Sequence, residues 1–245
     1  MSEVLPFKYN LRDKYSHPKV SVALATHDMV PATFMYSMAS MAAYTVSALP
    51  PEPSEFGITM VKGTYVHSAR QQLLEMLLQR EITHVLWIDT DMKFPRDSLM
   101  RLLAHRQPVV GINYCHRGFP YEFVAIKKVG WDKNDKSEKL LTLDSSTGLE
   151  EVEAMGFGMV LMEADMLRKV LPDPEEQPWF WFEWMSGKRQ VGEDVYFSRF
   201  LRNAGVKLLV DHDLSKECSH VGQYEYECYD AEVNLPKAAK AAGGD

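Results

Sequence analysis

Cysteine is scarce in this chain: Cys115, Cys218 and Cys228 are the three, and no two form a Cys-X-X-Cys pair. An odd number without paired spacing argues against a disulfide framework and favours a reducing cytoplasm. Positive charge is not in excess either, with 27 Lys and Arg against 34 Asp and Glu and a formal net charge of −7. That excludes coating of nucleic acid or anionic membrane by bulk electrostatics, though a local basic groove stays open. The stretch MSEVLPFKYNLRDKY mixes charges among its apolar residues, so it does not read as a signal peptide. One stretch resembles a membrane span, Thr33 to Leu49, TFMYSMASMAAYTVSAL. It is shorter than the roughly 20 apolar residues a span needs, and Ser37, Ser40, Tyr44, Thr45 and Ser47 dilute it. It reads as a buried helix with Met35, Met38 and Met41 as core filler, and no stable membrane insertion is expected. No internal repeat is visible.

What remains is an ordinary globular composition, 46% hydrophobic and 25% charged over 245 residues, enough for one large domain or two small ones. Strand and helix signals alternate. VSVALAT (20–26) reads as a buried strand, and Pro31 opens the helical stretch above. FGITMVK (56–62) is a second strand. VHSARQQLLEMLLQR (66–80) is a helix with Leu73, Leu74, Leu77 and Leu78 on its apolar side. Residues 82–89 form a third strand, Pro95 suits a helix start before Leu99, Leu102 and Leu103, and 109–115 is a fourth strand. Three strand-then-helix units predict an α/β fold, a mostly parallel sheet flanked by helices.

After residue 115 the rhythm changes. Segments 123–128 and 140–143 suggest a hairpin around a long polar turn, and AMGFGMVLME (154–163) is a strand entered through two glycines. The aromatic run PWFWFEW (178–184) follows. A helix starts near Glu193 and is capped by Gly205, and 206–210 is a last strand. The tail PKAAKAAGGD reads as frayed. This second part is a mixed α+β region built onto the same sheet.

The run VLWIDTDMKF (85–94) carries the chemistry. Burial holds Val85 to Ile88 inside a sheet, whereas desolvation keeps Asp89 and Asp91 at its edge. Ligands of such sheets sit beyond the carboxyl ends of the strands. Two carboxylates spaced Asp-X-Asp suit a hard divalent cation that completes its shell with water and substrate phosphates. Asp at a strand end also makes turns and caps helices, so the spacing alone does not decide.

The run THVLWIDTDMKFPRDSLMRLL, preceded by HSARQQLLEML and followed by VVGINY, resembles metal-dependent glycosyltransferases of the GT-A, Rossmann-like fold. More narrowly, it is similar to the compact family 2-like enzymes of bacteriophage and bacterial genomes. GEDVYFSRFLRNAGVKLLVDHDLSKECSHVG resembles their closing pattern: an acidic pair at a helix start, a Gly-capped helix, a strand, and a His before a Gly. The resemblance covers roughly residues 20–222, with the elements in the same order.

The resemblance implies a hexosyl- or pentosyltransferase. It would use Mn²⁺ or Mg²⁺ and a nucleotide-diphosphate sugar, UDP-sugar foremost, in the cytoplasm (the host's, if phage-encoded). It implies that Asp89 and Asp91 hold the metal, Asp91 directly and Asp89 nearer the ribose and sugar. His220 corresponds to an additional metal ligand, whose imidazole favours Mn²⁺; the alternative is a loop histidine, and His212 lies close by. Arg70 corresponds to an arginine near the nucleotide diphosphate or base, the alternative being a solvated helix arginine. Thr26, His27 and Asp28 end the first strand, where relatives cradle the nucleoside, though His27 departs from the small-polar pattern. Glu193 and Asp194 correspond to the acidic pair beside the acceptor, with Asp194 as general base, a role that favours inversion. The same two acids also suit the N-terminal end of a helix. The halves divide as an extension (1–19), a nucleotide-sugar-binding half (20–115), an acceptor-binding, catalytic half (116–235) and a flexible tail (236–245).

The acceptor is less defined: a glycan, a protein or a hydroxymethylated DNA base. Trp179, Trp181 and Trp184 with Phe180 and Phe182 suit either a stacking platform or a core or lid segment. Lys127, Lys128, Lys133, Lys136 and Lys139 around Trp131 are interrupted by Asp132, Asp135 and Glu138, which reads as a solvated turn. Three alternatives stand beside the transferase. One is a non-catalytic nucleotide-sugar-binding module. Another is a haloacid dehalogenase-type phosphohydrolase, which fits poorly because the pair follows the third strand and Lys93 occupies the position where that class carries Thr or Val. The last is a zinc site from Cys115, His116, Cys218 and His220, whose spacing is unfamiliar.

Overall fold

The computed structural model describes residues 13–27, 29–63, 65–130, 136–185, 189–222 and 225–233. In chain order it forms α1 (Asp13–Ser16), β1 (Lys19–Thr26), α2 (Ala32–Ala48), β2 (Glu55–Lys62), α3 (Val66–Leu78), β3 (His84–Ile88), β4 (Met92–Lys93), α4 (Ser98–Ala104) and β5 (Val109–Gly111). There follow β6 (Ile126–Lys128), β7 (Glu138–Lys139), β8 (Leu149–Val152), β9 (Met159–Glu163), α5 (Ala164–Val170), β10 (Glu183–Met185) and β11 (Arg189–Val191). Last come α6 (Glu193–Asn203), β12 (Leu208–Asp211), α7 (His212–Ser215), β13 (Ser219–Val221), β14 (Glu225–Tyr226) and α8 (Cys228–Val233).

A seven-stranded sheet, ordered β2-β1-β3-β9-β5-β12-β8, forms the centre. β1 runs parallel to β2 and β3, and β5 parallel to β12, while β9 lies antiparallel between β3 and β5 and β8 lies antiparallel at the far edge. The sheet is mostly parallel, as expected, and strands from both halves of the chain interleave in it.

Period-two alternation explains how the sheet carries helices on two faces. Val85 and Trp87 of β3 and Val160 and Met162 of β9 pack with Leu73, Leu74 and Leu77 of α3, Leu167 of α5 and Phe197 and Leu201 of α6. Their neighbours Leu86, Ile88 and Leu161, with Val20 and Val22 of β1, pack with Phe34, Met38 and Met41 of α2 and Leu99 and Leu102 of α4. Every residue of β3 and of β9 is buried, the continuous apolar pattern of a sheet covered on both sides. Gly205 follows α6 with φ of 78°, and the backbone N–H of Val206 reaches Leu201 O, the glycine-capped ending that the sequence announces.

Several details depart from the sequence reading. Met38 and Met41 are core, but Met35 is 57% exposed, because α2 covers the sheet with one side only. The strand expected over 109–115 stops at Gly111, with Cys115 making an isolated bridge to Phe123. The expected hairpin pairs Ile126–Lys128 with Glu138–Lys139, which lies in the expected turn, rather than with 140–143. The segment before β9 supplies a strand that the sequence did not suggest, β8, LEEV, which pairs with β12 and whose charges are tolerated at the sheet edge. Trp131, Asp132, Lys133, Asp135 and the tail lie outside the described residues. Lys14 of α1 is buried and pairs with Glu163, as does the Tyr15 hydroxyl, which ties the start of the described chain to the end of β9. Among the described residues, no helix is long and apolar enough to cross a membrane.

Candidate functional site

The carboxyl ends of β1 and β3 lie at one rim of the sheet, since the two strands pair in parallel, with Thr26 ending β1 and Asp89 following β3. A cavity of about 410 Å³ opens there, lined by Leu24, Thr26, His27, Phe34, Met38 and Thr90 among others. Thr90 is the residue between the two acids, so the cavity abuts the Asp-X-Asp turn. His27 is exposed, and Asp28 lies outside the described residues.

Asp89 and Asp91 face different partners. Arg70, one turn into α3, is almost fully buried and bridges two carboxylates: Nη2 donates to Asp89 Oδ1 and Nη1 to Glu193 Oε1, both at 2.6 Å. Its guanidinium lies 4.7 Å from the centre of the Phe157 ring. Burial alone would lower the pKa of Arg70, but Asp89 and Glu193 outweigh it and raise it above its ordinary value. The arginine is therefore neither a solvated helix residue nor a free cation. It joins Asp89, at the end of β3, to Glu193 at the start of α6.

Asp91 immediately precedes β4, an edge strand of a three-stranded sheet ordered β14-β13-β4. β13 pairs antiparallel with β4, His220 opposite Met92, and the Val221 N–H donates to Asp91 O at 2.7 Å. This pairing carries His220 across a long sequence separation to stand beside Asp91, with Nε2 at 3.4 Å from Oδ2. His220 Nδ1 lies 3.1 Å from Cys115 O. A backbone carbonyl only accepts, so Nδ1 carries a proton; Nε2, the nitrogen that faces Asp91, donates to the carboxylate when it too is protonated and offers a lone pair to an added cation when it is not. Arg117 Nη2 holds the same Oδ2 at 2.9 Å. The other oxygen, Asp91 Oδ1, is buried without a hydrogen-bond partner. Burial pushes the Asp91 pKa up, but His220 and then Arg117 overcome it and keep the carboxylate below its usual range.

A carboxylate with one idle buried oxygen beside an imidazole nitrogen that can give up its proton is a donor set that suits Mn²⁺, with Mg²⁺ less favoured by the nitrogen. Among the described residues, no group of three or more His, Cys, Asp or Glu side chains could hold a metal ion. Asp89 is turned to Arg70, and His212 is buried elsewhere between Thr142 and Glu150. A cation here would draw its remaining ligands from water and substrate oxygens, the usual arrangement for diphosphate-bound ions. Cys115, Cys218 and Cys228 are buried free thiols with raised pKa values, burial being the main cause, which runs against a thiolate zinc site.

Glu193 and Asp194 open α6 after Gly192, where a Cβ would stand 2.8 Å from Asp194 Oδ1. Asp194 Oδ1 accepts from the Val195 N–H at 2.7 Å. Burial, then the charge of Glu193, lifts the Asp194 pKa from 3.8 to about 6, against the pull of Arg70. Tyr114 packs edge-on against His220 at 5.3 Å between ring centres, and its hydroxyl accepts from the Gly158 N–H at 3.2 Å. Its pKa is raised by burial and by both Asp89 and Asp194, so one buried phenol feels both ends of the site.

Arg117, Tyr114 and the Cys115 carbonyl escaped the sequence reading. All three follow β5 at its carboxyl end, the same rim as Asp89, so the segment YCHR after the fourth strand was the available signal. His116 and Lys139 lie near enough to His220 and Asp194, respectively, for their charges to be felt.

The architecture defines the class: a mixed α/β protein with a seven-stranded, mostly parallel sheet, resembling a GT-A, Rossmann-like fold. No family model matches the sequence, and no curated protein matches it. Among solved structures, A197 from STIV superposes with a TM-score of 0.52 at 14% identity over 84% of this chain and 86% of that one. GalNAc-T7, solved with UDP, GalNAc and Mn²⁺, superposes with a TM-score of 0.50 at 15% identity. That match covers 84% of this chain but 43% of GalNAc-T7. At these identities the likeness shows the fold.

Proposed function

We propose that the protein transfers a sugar from a nucleotide-diphosphate sugar, with UDP as the nucleotide, to a hydroxyl acceptor in the presence of Mn²⁺. The observation that carries this reading is the Asp91–His220 pair, with Oδ1 of Asp91 idle and buried and Nε2 of His220 turned to Asp91 by the hold of the Cys115 carbonyl on Nδ1. Asp91 and His220 would hold the ion, and when bound it supplies Lewis-acid stabilisation of the departing diphosphate. The GalNAc-T7 neighbour, solved with UDP and Mn²⁺, supports the same ligand pair.

The chain's own residues account for the rest. The cavity beside Thr26, His27 and Thr90 takes the nucleoside. Arg117 is within reach of Asp91 and has a second, weaker hold on Val221 O at 3.3 Å; it neutralises charge that gathers on the diphosphate. Arg70 fixes Asp89 towards the donor and Glu193 beside the base. Asp194, whose pKa burial and Glu193 lift to about 6, receives the acceptor hydroxyl's proton. The acceptor oxygen forms its bond to the anomeric carbon as the bond to the diphosphate oxygen breaks, and the electron pair leaves with the diphosphate.

A thermal-shift panel of UDP, GDP and CDP and their sugar conjugates tests this, with Mn²⁺ or EDTA, on wild type and Asp91→Ala. A ligand that binds only the native state raises the melting temperature. The expected result is a Mn²⁺-dependent rise with UDP that vanishes in Asp91→Ala. No rise with any nucleotide overturns the reading.

A further inference from the structure

The aromatic run 178–184 divides into two parts. Trp179 and Phe180 are anchors. The Trp179 Nε1–H donates to Pro172 O at 2.8 Å, and Phe180 stacks on Phe197 with ring centres 4.5 Å apart and planes 4° from parallel. Phe180 also meets Trp87 and Phe157 edge-on in the core. The next residues turn outward: Trp181 is 51% exposed and Trp184 68% exposed. The first turn of α3 meets them there. His67 lies 6.1 Å from Trp181 and 5.2 Å from Phe182, edge-on to both, and Tyr65, 69% exposed, stands 5.9 Å from His67.

This cluster is built against the acceptor side. Arg70 follows His67 by one helical turn and grips Glu193. β10, which bears Trp184, pairs with β11, Glu183 opposite Val191, and β11 runs through Gly192 directly into Glu193 and Asp194. Two largely exposed indoles, held by a packed base at the strand pair that leads into α6, form an aromatic surface in water that folding did not cover. Such surfaces mark ligand contacts.

The charges around it select the ligand. Glu183 adjoins Trp184, and Glu193 and Asp194 follow β11; of the described cations, Arg70 is engaged by Asp89 and Glu193 and Arg199 by Glu183, while Lys139 feels the charge of Asp194. A nucleic acid strand would need free cations for its phosphates, and among the described residues this wall presents chiefly carboxylates and paired arginines. The geometry points to an acceptor subsite formed by Tyr65, His67, Trp181, Phe182 and Trp184 that takes an uncharged saccharide, its C–H face against the rings and its hydroxyl towards Asp194. The orientation rests on the transferase reading of Asp194; the saccharide-binding surface does not.

Calorimetric titration of the full chain with maltohexaose, cellohexaose, chitohexaose and mannohexaose, and with a deoxythymidine decamer, tests the inference. The proteins are wild type, the double variant Trp181→Ala/Trp184→Ala, and the double variant Trp181→Phe/Trp184→Phe. At least one hexasaccharide is expected to bind wild type. Binding should weaken about tenfold or more in the alanine variant and stay within about threefold in the phenylalanine variant, since a ring face is what the site needs. The inference is overturned if no hexasaccharide binds wild type, if the alanine variant binds equally well, or if the decamer binds more tightly than every saccharide. Thermal shift with UDP and Mn²⁺ on the same samples separates the two claims. Saccharide binding without any nucleotide response supports the subsite and defeats the donor reading alone.

Discussion

Replacing Asp194 by Asn separates what this residue does for chemistry from what it does to stability. The carboxyl is displaced from 3.8 to about 6, chiefly by burial and then by Glu193. A displacement of that size means that keeping the ionised form in the fold costs up to about 3 kcal/mol at neutral pH. Because the folded pKa lies above the unfolded one, the native state binds the proton more tightly. Its contribution is most favourable below the unfolded value, declines as pH rises from about 4 to about 6, and is level above that. Asn keeps an oxygen for the Val195 N–H but carries no charge, so its stability has no such slope. Urea unfolding of the metal-free proteins should give similar midpoints near pH 4 and a more stable Asp194→Asn near pH 7.5, by about 1–3 kcal/mol. Turnover should fall by at least about a hundredfold in the same variant, and wild-type turnover should climb with pH to a plateau above about 6. A stability gap independent of pH, or an Asn variant less stable at neutral pH, would refute the reasoning.

Three further outcomes are expected. Arg70→Ala leaves Asp89 and Glu193 without their shared partner and should destabilise by about 3–5 kcal/mol in chemical denaturation, more than deleting any exposed ion pair. Arg117→Ala frees Oδ2 of Asp91 and should tighten apparent Mn²⁺ affinity by about two- to fivefold in calorimetry while slowing sugar transfer, the partly exposed pair being a modest competitor. Gly158→Ala places a Cβ at 2.6 Å from Cε1 of Tyr114, whose buried ring leans on His220. It should lower stability by about 1–3 kcal/mol and weaken Mn²⁺ binding together, read by melting temperature and by calorimetry.

The first half of the fold was legible because its strands are apolar runs and its helices carry leucine stripes, and both signals are local. Asp89 and Asp91 stood out for the same reason: four buried residues end abruptly in two acids. Arg70 and the Glu193–Asp194 pair came from resemblance, and the salt bridge that joins them spans the halves of the chain, which no local pattern records. β4 and β13 have two and three residues, too short for periodicity to register, yet their pairing brings His220 to Asp91. Met35 misled because alanine, serine and threonine blur the apolar face of α2. The aromatic run was left between platform and core, and the division falls inside it, between Phe180 and Trp181, where composition does not change but the backbone leaves the packed layer.

The account stands or falls on Asp91 and His220 sharing one cation with a nucleotide diphosphate. Pulsed electron paramagnetic resonance of Mn²⁺ added to the protein with UDP reads this directly, through hyperfine couplings to an imidazole nitrogen and to phosphorus. Both couplings should appear in wild type, the nitrogen coupling should disappear in His220→Ala, and Asp91→Ala should show neither. A phosphorus coupling without nitrogen in wild type, or a nitrogen coupling that survives in His220→Ala, would contradict the proposed centre.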